Sequence, residues 1–146
     1  MKNLKRTELL AKIYVWFSVV SIGYVSILSM ISPQATMDLV NVDLGNTDAM
    51  SSIRGVFGGV GITICVSAIV MLKNNIKRSV QFFTLLWGAY AISRILTIII
   101  DGQLGEFGNT WLMIESFLCI VSIVISYRLS KLNVELRSSK VGFVVE

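Results

Sequence analysis

The chain lacks histidine, carries one proline and two cysteines, and is poor in charge, since only 15% of its 146 residues are Asp, Glu, Lys or Arg. The absence of histidine removes the commonest general base and the commonest metal ligand. Cys65 and Cys119 each lie inside an apolar run, which predicts packing residues rather than the disulfide framework of a small secreted domain. We therefore expect no metal site and no cofactor, and we identify no catalytic residue.

Apolar residues make up 54% of the sequence, which excludes a disordered chain, and the charged fraction lies well below the roughly 25% of soluble domains. The runs 13–31 and 55–72 hold 19 and 18 residues without a charge, and each is long enough to cross a membrane as a helix. Two further runs reach that length only if Arg94 and Glu115 lie within the membrane. We therefore predict an all-α polytopic membrane protein, a four-transmembrane-helix bundle in one domain (1–146), with spans at 13–31, 52–72, 79–100 and 110–127.

The distribution of basic residues predicts the orientation of these spans. Eleven of the 13 Lys and Arg residues lie in the segments 2–12, 73–78 and 128–140. The connections 32–50 and 101–109 contain five acidic residues and neither lysine nor arginine. The positive-inside rule therefore places both termini in the cytoplasm, where the basic residues face anionic lipid. We expect the lipid bilayer and no nucleic acid as a partner, and we assign the tail 128–146 no role.

Two connections have a predicted local structure. The turn 73–78 is short, so the second and third helices should be antiparallel neighbours. In the longer outer loop 32–50, Pro33 is suited to begin a short helix. We expect that helix to lie along the membrane surface, with Ala35, Leu39 and Val42 on its apolar side.

Four charged residues, Arg54, Arg94, Asp101 and Glu115, fall where the spans should be in lipid, all in the outer half of the bilayer. Charges at such depth are costly, face the bundle interior and pair with one another. We expect Arg54 to pair with Glu115, and Arg94 to be shared between Asp101 and Glu115. Intramembrane charges of this kind indicate a ligand, ion or proton site, and a purely structural ion-pair network is the alternative.

Small and hydroxyl-bearing residues recur along two of the predicted helices. On the second helix, glycines and other small residues align at three- and four-residue steps with Arg54, and small residues let helices approach closely in lipid. We interpret four glycines as helix-packing residues: Gly55, Gly58, Gly59 and Gly61. On the first helix a stripe of serines predicts hydrogen bonding between helices.

The segment 52–61, Ser-Ile-Arg-Gly-Val-Phe-Gly-Gly-Val-Gly, is followed by Ser93-Arg94, Asp101-Gly102 and Glu115. This combination resembles the bacterial membrane family described as domain of unknown function 4345, over roughly residues 50–126. Ser52 and Phe57 stand where that family tends to carry an acid and a tyrosine. The resemblance implies a four-helix protein of the bacterial inner membrane, and it implies no activity.

Several functions are compatible with the sequence. The arginines are suited to bind an anionic or zwitterionic small ligand or a lipid headgroup, with the two acids balancing charge. Alternatively, the ion pairs only hold together a structural or accessory subunit, which acts as a homo-oligomer or with a membrane-protein partner. A small transporter coupled to protons through Glu115 is a third hypothesis. An enzyme is less favoured, because no nucleophile motif is present.

Overall fold

The computed structural model describes residues 2–142, which contain six α-helices, one π-helical turn and no strand. The helices follow one another with short connections, so the backbone hydrogen bonds are almost all satisfied within each helix. Their bounds are α1 (Lys2–Ile31), α2 (Pro33–Asp38), α3 (Thr47–Ile53), the π-helical turn (Arg54–Gly59), α4 (Val60–Asn74), α5 (Ile76–Ile100) and α6 (Glu106–Gly142).

Four helical stretches are long and apolar enough to cross a membrane: Asn3–Ile31, Thr47–Asn74, Ile76–Ile100 and Glu106–Leu132. Each expected span lies inside one of them, and the second comprises α3, the π-helical turn and α4 in one continuous rod. Large exposed hydrophobic side chains occur along all four stretches, as they do on proteins whose outer surface contacts lipid rather than water. The fold is therefore the predicted all-α bundle of four long helices.

Asparagine side chains mark two of the helix starts. Asn75 separates α4 from α5 as a single extended residue, and its side-chain oxygen accepts a hydrogen bond from the backbone N–H of Arg78 at 3.2 Å. Asn46 does the same for α3 through the N–H of Ala49 at 2.8 Å. Such caps satisfy backbone donors that a helix start leaves free. Because only one residue separates them, α4 and α5 fold back on each other as the expected pair of neighbours.

Helix α1 lies at the centre of the bundle, where it packs against α4, the π-helical turn, α5 and α6. Helix α5 packs on both of its chain neighbours, α4 and α6. The buried core is formed by the facing sides of these helices and includes Val15, Ala68, Val80, Phe83 and Leu129.

Hydrogen bonds connect the helices at several buried positions. The hydroxyl of Tyr14 on α1 donates to the carbonyl of Leu118 on α6 at 3.1 Å. The indole N–H of Trp87 on α5 donates to the hydroxyl of Ser18 at 3.2 Å, and Ser79 on α5 donates to a carbonyl of α4 at 3.0 Å. Buried polar groups in lipid need such partners, so these bonds fix how the helices are rotated against one another.

Two glycines of the second span allow α1 to approach closely. A Cβ atom on Gly61 would overlap the hydroxyl of Ser26, and one on Gly58 would lie 2.5 Å from the sulfur of Met30. The other two glycines interpreted as packing residues behave differently, because a Cβ there meets open space or only the same helix: Gly55 and Gly59. Close packing is therefore concentrated at the two positions that face α1.

The π-helical turn changes the rotation of the second span. In a continuous α-helix, Arg54 would share a face with Gly58 and Gly61. In the structure Gly58 and Gly61 are buried while Arg54 is exposed. A π-helical turn contains an additional residue for the same rotation, so residues before it are turned away from the face that continues into α4.

Helix α2 begins at Pro33, as expected, and one of its sides is buried against the bundle. Pro33, Thr36 and Met37 are buried, whereas Leu39 and Val42 are exposed. Thr36 forms a hydrogen bond of 3.0 Å with Ser29 of α1. Helix α2 therefore packs onto the end of α1 through its first and second turns, and the placement of Leu39 and Val42 on the membrane surface stays a prediction.

The Gln34 side chain holds the segment after α2 in place. Its amide nitrogen donates to Asp38 at 2.7 Å and to the carbonyl of Val42 at 3.1 Å, and its oxygen accepts from the N–H of Leu44 at 2.9 Å. We expect Gln34→Leu to speed hydrogen exchange at the Leu44 amide by about fivefold, because a lost hydrogen bond costs about 1 kcal/mol. Gln103→Leu, at an exposed glutamine of the other loop on this side, serves as the control, and equal exchange in both variants would contradict the assignment.

Candidate functional site

A bidentate ion pair joins α5 to α6 near the end of the bundle that carries α2. Arg94 Nε donates to Glu115 Oε2 at 2.7 Å, and Arg94 Nη2 donates to Glu115 Oε1 at 2.9 Å. The Glu115 residue is 3% exposed, and the Arg94 side chain is 25% exposed. Arg94 lies six residues before the end of α5, about 9 Å along the helix axis. Both charges therefore lie within helical stretches that are long and apolar enough to cross a membrane.

This pairing lowers the free-energy cost of burying the two charges between apolar helices. The planar guanidinium matches the two carboxylate oxygens, so both groups exchange water for strong, charge-assisted hydrogen bonds. An unpaired carboxylate as buried as Glu115 would carry most of its desolvation cost uncompensated. The pair is consequently neutral as a unit and fixes the spacing of α5 and α6 at this level.

The other two predicted site residues lie apart from this pair. Arg54 is exposed, and its Nε donates to the backbone carbonyl of Met30 at 3.2 Å. Asp101 is exposed beyond the last turn of α5. Among the side chains that the structure describes, the ion pair of Arg94 and Glu115 is the one formed within 4.0 Å. The structure therefore lacks two of the expected ion pairs, the one between Arg54 and Glu115 and the one between Arg94 and Asp101.

Three local causes explain the difference. The π-helical turn rotates Arg54 away from the interior, so its side chain reaches the end of α1 instead of α6. Asp101 follows the helix end, where Gly102 adopts a φ of 108° and redirects the chain. The carboxylate of Glu115 also occupies the Arg94 fork on its own.

A cavity of about 300 Å³ lies beside the ion pair, between α1, the second span, α5 and α6, with α2 and the residues after it at one end. Its size is at the lower limit of small-molecule pockets. Arg94 and Glu115 are its charged lining residues. The remaining walls are mostly apolar and aromatic: Ile22, Val25, Met37, Leu39, Val40, Val56, Phe57, Val60, Ile64, Trp87, Tyr90, Phe107 and Trp111.

The serine and threonine hydroxyl groups in the cavity wall already have partners. Ser21 and Ser26 each donate to the carbonyl four residues earlier in α1, at 2.9 and 2.8 Å. Thr36 is bonded to Ser29. The serine stripe of α1 was expected to bond between helices, and this is confirmed in part: Ser18 accepts from Trp87 of α5 and Ser29 is bonded to Thr36 of α2, whereas Ser21 donates within α1. The polar character of the cavity therefore comes chiefly from the ion pair.

Aromatic residues form the wall around the ion pair, and the sequence contains a signal for them. Tyr90 lies four residues before Arg94, and Trp111 lies four residues before Glu115. Side chains four apart share one face of a helix, so an aromatic group accompanies each charge. Phe107 adds a further turn of this wall and packs at 6.1 Å, centroid to centroid, against Trp111. Composition alone did not reveal that these rings border a cavity.

The charged and aromatic side chains of the cavity wall offer hydrogen bonds and apolar contacts rather than the ligands of a metal ion. In the part of the chain that the structure describes, no three His, Cys, Asp or Glu side chains come together as a metal site. Cys65 and Cys119 are free thiols within hydrogen-bonding reach of carbonyls on neighbouring helices, a position typical of packing residues.

Comparison with known proteins gives one finding about relatives. A family model described as domain of unknown function (DUF4345) matches residues 10–126. This stretch contains the ion pair, the π-helical turn and all the residues that line the cavity. No curated protein and no solved structure matches the chain.

Proposed function

We propose, for a chain that belongs to the DUF4345 family, that it is an integral protein of the bacterial inner membrane that binds a small amphiphilic ligand between its helices. The ligand, a small molecule or the polar part of a lipid, occupies the cavity beside Arg94 and Glu115. Its polar group contacts the ion pair and its apolar part contacts the aromatic and aliphatic walls.

The observation that carries this proposal is a charged pair that borders empty space instead of packed side chains. A pair needed only to hold α5 against α6 would be best enclosed by close-packed residues, since interiors of proteins contain few voids. Here the pair lines a cavity of about 300 Å³. Ionisable groups within a span are functional by default, and a concave, mostly apolar pocket with a few polar groups is typical of a ligand site.

The charge distribution supports an outward-facing site. The cavity lies at the end of the bundle that carries α2 and the segment after it, and the connections on that side contain no Lys or Arg. By the positive-inside rule this end faces away from the cytoplasm. The ligand would then enter from the outer leaflet or from the space outside it.

Native mass spectrometry of the protein purified with its own lipids tests this proposal. We expect an added mass that survives mild activation in the native chain and in Arg54→Gln, and that is lost in Arg94→Gln. The two variants make the same chemical change, but Arg54 lies outside the cavity lining while Arg94 belongs to it.

Two outcomes would contradict the proposal. Retention of the same mass in Arg94→Gln would show that the ligand does not depend on the ion pair. A native chain that carries only exchangeable bulk lipid would instead support a structural or accessory subunit, and the search would move to membrane-protein partners.

A further inference from the structure

We infer that the ligand of this cavity is an uncharged lipophile that presents a hydrogen-bond acceptor oxygen, such as an ester or ketone carbonyl, to Arg94. This inference rests on the proposed function, and it narrows the class of ligand. It departs from the anionic or zwitterionic ligand that the sequence suggests, because the Glu115 carboxylate occupies the arginine fork.

The charge of the site is already balanced. Both oxygens of Glu115 accept hydrogen bonds from Arg94, so the pair presents no net charge to the cavity. An anionic group brought to Arg94 would lie next to the Glu115 carboxylate, and a cationic group brought to Glu115 would lie next to the guanidinium. A zwitterion that contacted both members of the pair would bring both of these like-charge contacts into the site at once. Like charges placed together cost several kcal/mol, so an uncharged group is favoured.

Hydrogen-bond donors nevertheless remain at the site. A guanidinium has five N–H donors, and the contacts with Glu115 use one on Nε and one on Nη2. Within the described residues, the Nη1 group of Arg94 takes part in none of the side-chain hydrogen bonds. Tyr90 and Trp111, whose side chains carry a hydroxyl and an indole N–H donor, line the same cavity. A surplus of donors beside an occupied carboxylate is suited to a ligand that accepts hydrogen bonds.

The remaining walls require an apolar body. Aliphatic and aromatic side chains line most of the cavity, and the wall hydroxyls of Ser21 and Ser26 are directed to carbonyls of α1. A ligand with several further polar groups would leave them unpaired in a low-dielectric space, which is costly. One carbonyl group on a hydrocarbon chain therefore matches both the polar and the apolar parts of the lining.

Tryptophan fluorescence can test the class of ligand directly, because two of the three tryptophans, Trp87 and Trp111, line the cavity. The third, Trp16, is exposed, so Trp16→Phe leaves only cavity reporters. The difference in signal between the native chain and Trp16→Phe reports probe that is merely dissolved in the detergent micelle.

The probes are an ω-bromo fatty acid at alkaline pH, its methyl ester, the trimethylammonium compound of the same chain length and the matching bromoalkane. We expect the ester to quench Trp16→Phe saturably, at a concentration about tenfold below those required by the acid and the cation. The bromoalkane should require a higher concentration than the ester for the same quenching, because it offers no hydrogen-bond acceptor to Arg94. In Trp16→Phe with Arg94→Gln the advantage of the ester over the alkane should disappear.

A second variant separates the role of the guanidinium from the loss of charge balance. Arg94→Met with Glu115→Leu keeps the site neutral and leaves no hydrogen-bond donor at either position, and we expect it to lose the preference for the ester as well. Equal or stronger binding of the acid or the cation would overturn the inference while leaving a ligand site in place. Quenching that is unsaturable for all four probes would overturn the proposed function itself.

Discussion

Replacing Glu115 with alanine is expected to lower the free energy of unfolding by about 3 kcal/mol, near the lower end of the values for breaking a buried ion pair. The substitution leaves the Arg94 guanidinium inside the span without the carboxylate that satisfies its Nε and Nη2 donors. The lower end applies because the Arg94 side chain is 25% exposed and can reach partly toward the end of the bundle. Unfolding by sodium dodecyl sulfate, followed by circular dichroism, measures the change.

The double variant Arg94→Met, Glu115→Leu is the matched control. Apolar replacement of both members of a buried pair is often neutral or stabilising, because neither charge then has to be desolvated. We expect the double variant to recover most of the stability that Glu115→Ala loses, while it loses any ligand. If Glu115→Ala is as stable as the native chain, the pair does not hold α5 to α6.

Replacing Gly61 with valine is expected to destabilise the bundle by about 1–3 kcal/mol, the usual cost of overpacking a close contact. A Cβ at this position overlaps the hydroxyl of Ser26 and lies 3.0 Å from its Cβ, so α1 and α4 must separate. The same detergent unfolding measurement applies, and disulfide cross-linking between α1 and α4 would report the separation independently.

Two variants control for the helix preference of valine and for the identity of the contact. Gly55→Val adds the same side chain where nothing lies within 4 Å, so it should change stability little. Ser26→Gly with Gly61→Ala removes the hydroxymethyl group from α1 and adds a methyl group to α4, and it should restore most of the packing. Equal loss in Gly55→Val and Gly61→Val would show that backbone preference, not contact with α1, determines the effect.

The long helices were predictable because the membrane imposes a simple constraint on sequence. A span needs roughly 20 apolar residues, and the charge-free runs at 13–31 and 55–72 meet it directly. The other two spans contain Arg94 and Glu115, and their prediction depended on accepting both charges inside the bundle. The structure pairs these two residues, which is why the interrupted runs still form long helices.

The rotation of the second span was not predictable by the same reasoning. The spacing from Arg54 to Gly61 matches a regular α-helix, and nothing in the periodicity distinguishes a π-helical turn. The turn lies where the second span packs closely on α1. Gly58 lies against Met30 there, and Gly61 lies against Ser26. As a consequence Arg54 was assigned to the interior pair, whereas it lies outside.

The candidate site was predictable only in part, for a related reason. Depth along each helix brings Arg94 and Glu115 to a similar level, and their charges make a pair favourable. The cavity beside them depends on where four helices diverge, which is a property of backbone positions and not of residue type. Aromatic residues such as Tyr90 and Trp111 can be recognised as lining the cavity only once the relative positions of the helices are known.

The central position of α1 has a consequence for how the protein is made. Chains are synthesised from the N-terminus. Helix α1, which contacts the other three spans, therefore enters the bilayer before those spans have been made. Its bond from Tyr14 spans 104 residues to Leu118 and forms only when the last helix arrives. Meanwhile the hydroxyls of Ser21, Ser26 and Ser29 donate to carbonyls of α1 itself. These three hydroxyls therefore have hydrogen-bond partners before the later helices are inserted, which favours α1 as an insertion intermediate in lipid.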